Sequence, residues 1–196
     1  MKQAIAVAVL VAVAAQAWAL ELGAVAPKSD VKLKNVDGKE LSLADVKGAK
    51  GTLVIFSCNH CPFVVAWEER IAKLGNEFLK KGVGVIQINS NDPAKAAGDS
   101  FEGMQKRAKE RGFEFPYVVD ADSGIARAFG ATRTPEIYLF DAAGKLVYHG
   151  TIDDNHKDAA AAKEHYLKDA LDALVAGKEI STKTTKAVGC TIKFRS

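Results

Sequence analysis

Apolar positions along this chain repeat with two different periods. Residues 52–56 (TLVIF) are almost wholly apolar and rich in β-branched side chains, which predicts a strand buried on both faces. Val64, Trp67, Ile71, Leu74 and Phe78 then recur at spacings of three and four, an amphipathic helix that stops at Lys80-Lys81-Gly82. Residues 83–89 (VGVIQIN) predict a second strand. Phe101, Met104 and Ala108 mark a helix face that opens near Ser100 and closes at Gly112. A short strand at 117–119, a short helix carrying Ile125, Ala126 and Phe129, and a hairpin of 137–140 with 145–149 follow. Residues 158–176 are rich in alanine, with Tyr166, Leu167, Ala170, Leu171 and Leu174 on one face, and predict a last helix. Nearer the start, 31–36 and 39–43 flank Asp37-Gly38, a two-residue hairpin turn, and Ser42-Leu43-Ala44-Asp45 has capping-box spacing that is expected to open one helical turn. The tail, 178–196, is polar, yet Val188, Cys190, Ile192 and Phe194 alternate as on an edge strand.

The first residues follow another pattern. Met1-Lys2 precede an apolar run over 4–15, and Ala17-Trp18-Ala19 puts small residues where a signal peptidase inspects them. The run falls short of the ~20 residues a spanning helix needs. Residues 1–19 are therefore expected to be a cleaved secretory signal, with an uncleaved anchor as the alternative. Residues 20–196 are expected to form one domain without stable membrane insertion, in the periplasm or secreted. The formal net charge of +3 falls by one when Lys2 leaves, and acids and lysines are interspersed. That balance argues against a nucleic-acid partner. Three cysteines are too few for a disulfide-stapled scaffold and suit redox chemistry. In an oxidising compartment, a reducing pair needs an upstream redox partner.

The candidate chemistry lies at Cys58-Asn59-His60-Cys61, where the first buried strand hands over to the helix. Free N–H groups and the positive end of the helix dipole favour an anionic sulfur there, and Pro62 suits a helix's first turn. The helix terminus, His60 and a hydrogen bond from the Cys61 thiol are expected to depress the pKa of Cys58. Cysteines so placed reach roughly 3.5–7.5, against about 8.5 when free. Cys58 is then the nucleophile and Cys61 the resolving thiol; a structural disulfide or half of a metal site are the bland alternatives. His60 and Arg133, two residues before Pro135, are candidate tuning cations. Cys190 reads either as a third redox thiol or as a half-buried small hydrophobe. Asp153-Asp154-Asn155-His156 reads as a solvated loop rather than a metal site, and His149 and His165 have no ligand spacing. No G-x-G-x-x-G is present, and sulfur chemistry needs no organic cofactor.

Five segments carry a family resemblance: C-N-H-C-P-F-V (58–64), N-S-N-D (89–92), G-A-T-R-T-P (130–135), D-D-N (153–155) and G-C-T-I-K (189–193). With the order of elements, they resemble the thioredoxin-like redoxin family. It includes exported thiol–disulfide proteins of the cytochrome-maturation type and peroxiredoxins of the alkyl-hydroperoxide-reductase/thiol-specific-antioxidant type. The resemblance implies an α/β thioredoxin-like fold with an N-terminal β-hairpin. It also implies a redoxin-type insertion between the second core strand and the Thr-Pro segment. It implies a cis peptide at Thr134-Pro135 facing the cysteines, with Thr134 and Pro135 guiding an extended substrate, and exchange with protein thiols and disulfides. Two departures stand out. The buried aspartate that thioredoxin carries six residues before its first cysteine is Thr52 here, so Glu68, Glu69 or a water is left to accept the proton. The T-x-x-C of peroxiredoxins is missing, since Ile55 lies three residues before Cys58. A thiol peroxidase with Cys190 as resolving cysteine, and a copper or zinc carrier, are the rival readings. His60 favours an oxidant, whereas the maturation-type relatives are reductants.

Overall fold

The strand 51–57 has no polar face to give to water, and both of its faces are covered. A computed structural model of the chain describes residues 20–195. The expected signal segment, 1–19, lies outside the described residues. Among them, no helix is long and apolar enough to cross a membrane.

Among the described residues, nine strands and four helices follow in order: β1 (Leu33–Asn35), β2 (Glu40–Leu41), β3 (Gly51–Ser57), α1 (Pro62–Lys80), β4 (Val83–Asn89), α2 (Phe101–Arg111), β5 (Tyr117–Val119), α3 (Gly124–Phe129), β6 (Arg133–Thr134), β7 (Glu136–Asp141), β8 (Leu146–Gly150), α4 (Tyr166–Val175) and β9 (Cys190–Thr191). Seven strands form one sheet in the order β2-β1-β5-β4-β3-β7-β8, while β6 and β9 pair separately. β4 runs parallel to β3 and β5; β7 is antiparallel to β3 and β8.

Alternation along β3 sorts its side chains between two apolar layers. Leu53 and Ile55 meet Trp67, Ile71 and Phe78 of α1 and Leu167 and Leu171 of α4. Val54 and Phe56 point the other way, to Ile125 and Phe129 of α3 and to Leu33 and Leu43. This is the thioredoxin-like arrangement that the resemblance implies. The N-terminal hairpin is β1–β2, and a 3-10 turn (Ala97–Asp99), α2 and β5 fill the insertion.

Three expectations are corrected. Ser42 and Asp45 bond reciprocally, as a capping box should, but close a turn rather than opening a helix. The last helix begins at Tyr166, not 158. Before it, the Asn155 side chain accepts from Lys157 and Asp158 N–H, and Asp154 accepts from Lys163 and Glu164 N–H. These short polar side chains offer the backbone partners that a helix would otherwise supply. The D-D-N segment is not simply solvated either. Asp153 is 3% exposed, accepts a 2.7 Å bond from the Trp67 indole and is ion-paired to Arg70. That pairing ties the loop after β8 to α1.

Candidate active site

β3 ends at Ser57, and Cys61 occupies the N-cap position of α1, with Pro62 as the first helical residue. The first turn of α1 contains no acidic residue, so nothing there offsets its positive end. Cys58 and Cys61 are 2% and 5% exposed. Thr134 reaches both sulfurs. Its hydroxyl lies 3.2 Å from Cys58 Sγ, and its carbonyl oxygen accepts from Cys61 Sγ at 3.1 Å. The Thr134–Pro135 peptide is cis, as expected.

Behind Cys58 lies a buried polar network. Asn59 N–H donates to Asp99 Oδ1 at 2.6 Å, and the Asn59 amide donates to Gly98 O at 2.9 Å. Tyr117 Oη donates to Asn59 Oδ1 at 2.9 Å, and Asn89 and Asn91 donate to Asp99. On the other side, Glu136 accepts from Thr132 and Arg133 N–H, Tyr138 Oη and His149, which fixes the loop leading into Pro135.

The environment divides the two thiols unequally. With both protonated, Cys61 donates to the Thr134 carbonyl. Once a proton leaves, Cys61 is the sulfur surrounded by donors. The hydrogen bond from Cys58 is the largest influence and opposes burial; the Cys190 thiol and Val64 N–H add to it, and together they bring Cys61 down to about 5. Cys58 is pushed up by that same hydrogen bond, by burial and by the negative charge of Asp99. The two sulfurs thus titrate as a pair rather than independently. The direction is the reverse of a low pKa at Cys58: Cys61 holds the helix N-cap, and Cys58 faces a buried carboxylate.

Other expected site residues also sit differently. His60 is exposed, its ring lies over Gly98, where a Cβ would come within 1.7 Å, and it is not among the leading influences on either sulfur. Arg133 bonds to Gly189 O and Thr191 Oγ1, and its charge acts on Cys190. The Thr134 edge, expected to be open to an extended peptide, is paired with β9, Thr134 standing opposite Cys190. Cys190 is half-buried and packs with Cys58 and Cys61. Burial, then its bond to Cys61 and the charge there, raise it to about 11. Glu68 is buried between Arg107 and Arg111, 2.7 and 2.6 Å from their Nε atoms. Burial raises its pKa against those two charges. Among the described residues, no three His, Cys, Asp or Glu side chains converge as metal ligands.

No sequence pattern marks Asp99 or Tyr117 as residues of this site. The N-S-N-D segment was the one signal near them, since Asn89 and Asn91 hold the same carboxylate.

The chain is similar to the thiol-disulfide oxidoreductase ResA of Halalkalibacterium halodurans, at 26% identity over 59% of this chain and 61% of that protein. It is also similar to ResA of Geobacillus thermodenitrificans, at 27% over 65% and 68%. The chain thus spans about three fifths of the length of the first of these relatives. Among solved structures, a hypothetical protein of Sinorhizobium meliloti 1021 superposes with TM-score 0.82 at 35% identity, covering 91% of this chain and 97% of that one. An uncharacterized conserved protein of Geobacillus kaustophilus gives 0.83 at 39%, covering 89% and 93%. A family model described as the AhpC/TSA family matches residues 22–149, well over half of the sequence, and the chain belongs to that family.

Proposed function

We propose that this protein is an exported thiol–disulfide oxidoreductase that exchanges a Cys58–Cys61 dithiol/disulfide with protein substrates. One observation carries the proposal: two buried cysteines at the start of α1 are held by one residue, the Thr134 hydroxyl lying 3.2 Å from Cys58 Sγ and the Thr134 carbonyl accepting from Cys61 Sγ at 3.1 Å. At neutral pH the ionised Cys61 attacks a partner disulfide, forming a mixed disulfide and releasing one partner thiolate. Cys58 then passes its proton to the released partner thiolate and attacks Cys61. The second partner thiol leaves, and the pair is oxidised. Thr134 holds both sulfurs in register through its hydroxyl and carbonyl. The names of the ResA relatives support this class of reaction. Residues 1–19 have the pattern of a secretory signal, which supports a periplasmic or secreted location, where an upstream partner resets the pair.

The test is a dithiol-exchange assay on a protein disulfide beside a peroxide-consumption assay. Cys58→Ser and Cys61→Ser should each abolish turnover of the protein disulfide, with little peroxide consumed by the wild type. Rapid peroxide turnover that survives Cys58→Ser would contradict the proposal. N-terminal sequencing of exported protein should read from near Leu20.

A further inference from the structure

The tail crosses the candidate site rather than trailing away from it. β9 pairs antiparallel with β6, Arg133 opposite Thr191 and Thr134 opposite Cys190. At Gly189 the approach is so close that a Cβ would sit 2.2 Å from the Thr134 carbonyl oxygen. Ile192 N–H donates to Thr132 O at 2.9 Å, Lys193 N–H to Asn91 Oδ1 at 2.7 Å, and Asp92 N–H to Lys193 O at 2.7 Å. Ile192, 3% exposed, anchors the strap in the core beside Phe129 and Ala131. This placement sets the Cys190 side chain against the Cys58–Cys61 cluster, and Cys190 is the most exposed of the three.

We propose that Cys190 is a third reacting thiol of this site, that its partner is Cys61, and that a Cys61–Cys190 disulfide pins the tail across the Thr134 edge. The inference rests on the dithiol reading of Cys58 and Cys61 and extends it. With a low-molecular-weight disulfide such as glutathione disulfide as oxidant, the Cys61 thiolate attacks one sulfur and releases one glutathione thiolate. Cys190 loses its proton to solvent, attacks the Cys61 sulfur of the mixed disulfide and expels the second glutathione. Two protein thiols are oxidised and one glutathione disulfide is reduced to two thiols. Attack by Cys58 on Cys61 then expels Cys190 as thiolate and moves the disulfide to Cys58–Cys61 without net oxidation. A protein partner meets a closed edge in the first disulfide and a releasable strap in the second. Arg133 and Lys193, whose charges favour ionisation of Cys190, flank the exchange.

Full-length wild type, Cys58→Ser and Cys190→Ser, each checked for native circular dichroism, are equilibrated in glutathione buffers, acid-quenched, alkylated and mapped by mass spectrometry. Cys58→Ala replaces Cys58→Ser if the serine variant does not fold. The Cys58 variant is expected to form an intramolecular Cys61–Cys190 disulfide, and amide exchange over 189–193 to slow by about tenfold as opening of the strap is suppressed. Glutathione mixed with Cys61 alone, with Cys190 free at every potential, would overturn the inference and leave the dithiol reading intact. Failure of Cys190→Ser to form Cys58–Cys61 would strike the reading itself.

Discussion

Asp99 acts on the cysteine pair in two ways. Its carboxylate fixes the Asn59 N–H beside Cys58, and its charge opposes ionisation of that sulfur. Asp99→Asn is expected to cost about 1–3 kcal/mol in urea unfolding, because buried donors lose a charged acceptor. It should also bring the Cys58 ionisation down. His60→Ala should leave the ionisation of the pair, followed by thiolate ultraviolet absorbance, where it is in the wild type. A clear upward shift would show that the exposed imidazole does reach the sulfurs. Of these residues the sequence disclosed the cysteines, through their place between a buried strand and an amphipathic helix. It could not disclose Asp99 or Tyr117, which lie 40 and 58 positions from the Asn59 they hold. No local period encodes contacts that distant.

Elements that bury a whole face were legible. β3, β4 and α1 lie within a residue or two of their expected bounds, because continuous or three-and-four apolar spacing leaves few alternatives. The stretch 158–165 was not, because its fate is set by side-chain acceptors on Asp154 and Asn155 rather than by alanine propensity. Removing the Asp153 carboxylate with Asp153→Ala strands Arg70 in a part-buried site and is expected to cost about 3–5 kcal/mol, read by chemical denaturation. On the β7–β8 hairpin, burial alone would raise Glu136, but hydrogen bonds from His149 and from Thr132 and Arg133 N–H outweigh it and its pKa is lowered. Its folded pKa thus lies below its unfolded one. Its stabilising contribution is complete above roughly 4.3, the unfolded value, and is lost as pH falls through the folded value. Glu136→Gln should flatten the fall in stability on acidification, measured as denaturation midpoint against pH.

At the scale of the molecule, four of the five quoted segments converge on one end of the sheet. The loops 89–92 and 130–135 hold both the cysteine turn and the tail that covers it. The family resemblance disclosed those segments but not their convergence, since alternation marks a strand without naming its partner. Gly189→Ala forces the tail off the Thr134 carbonyl. Amide exchange over 189–193 should quicken and Cys61 become easier to alkylate, at a cost of about 1–3 kcal/mol for the overpacked contact.

The central claim is that Cys58 and Cys61 titrate as a pair at the head of α1. Its most direct measurement is alkylation of reduced protein against pH, mapped to each cysteine by mass spectrometry. The rate at Cys61 should rise through a midpoint near 5 while Cys58 stays protected well above neutrality. If both cysteines instead reacted with midpoints of about 8.5, as free thiols do, the pair would not be an activated one, and the redox assignment would fall with it.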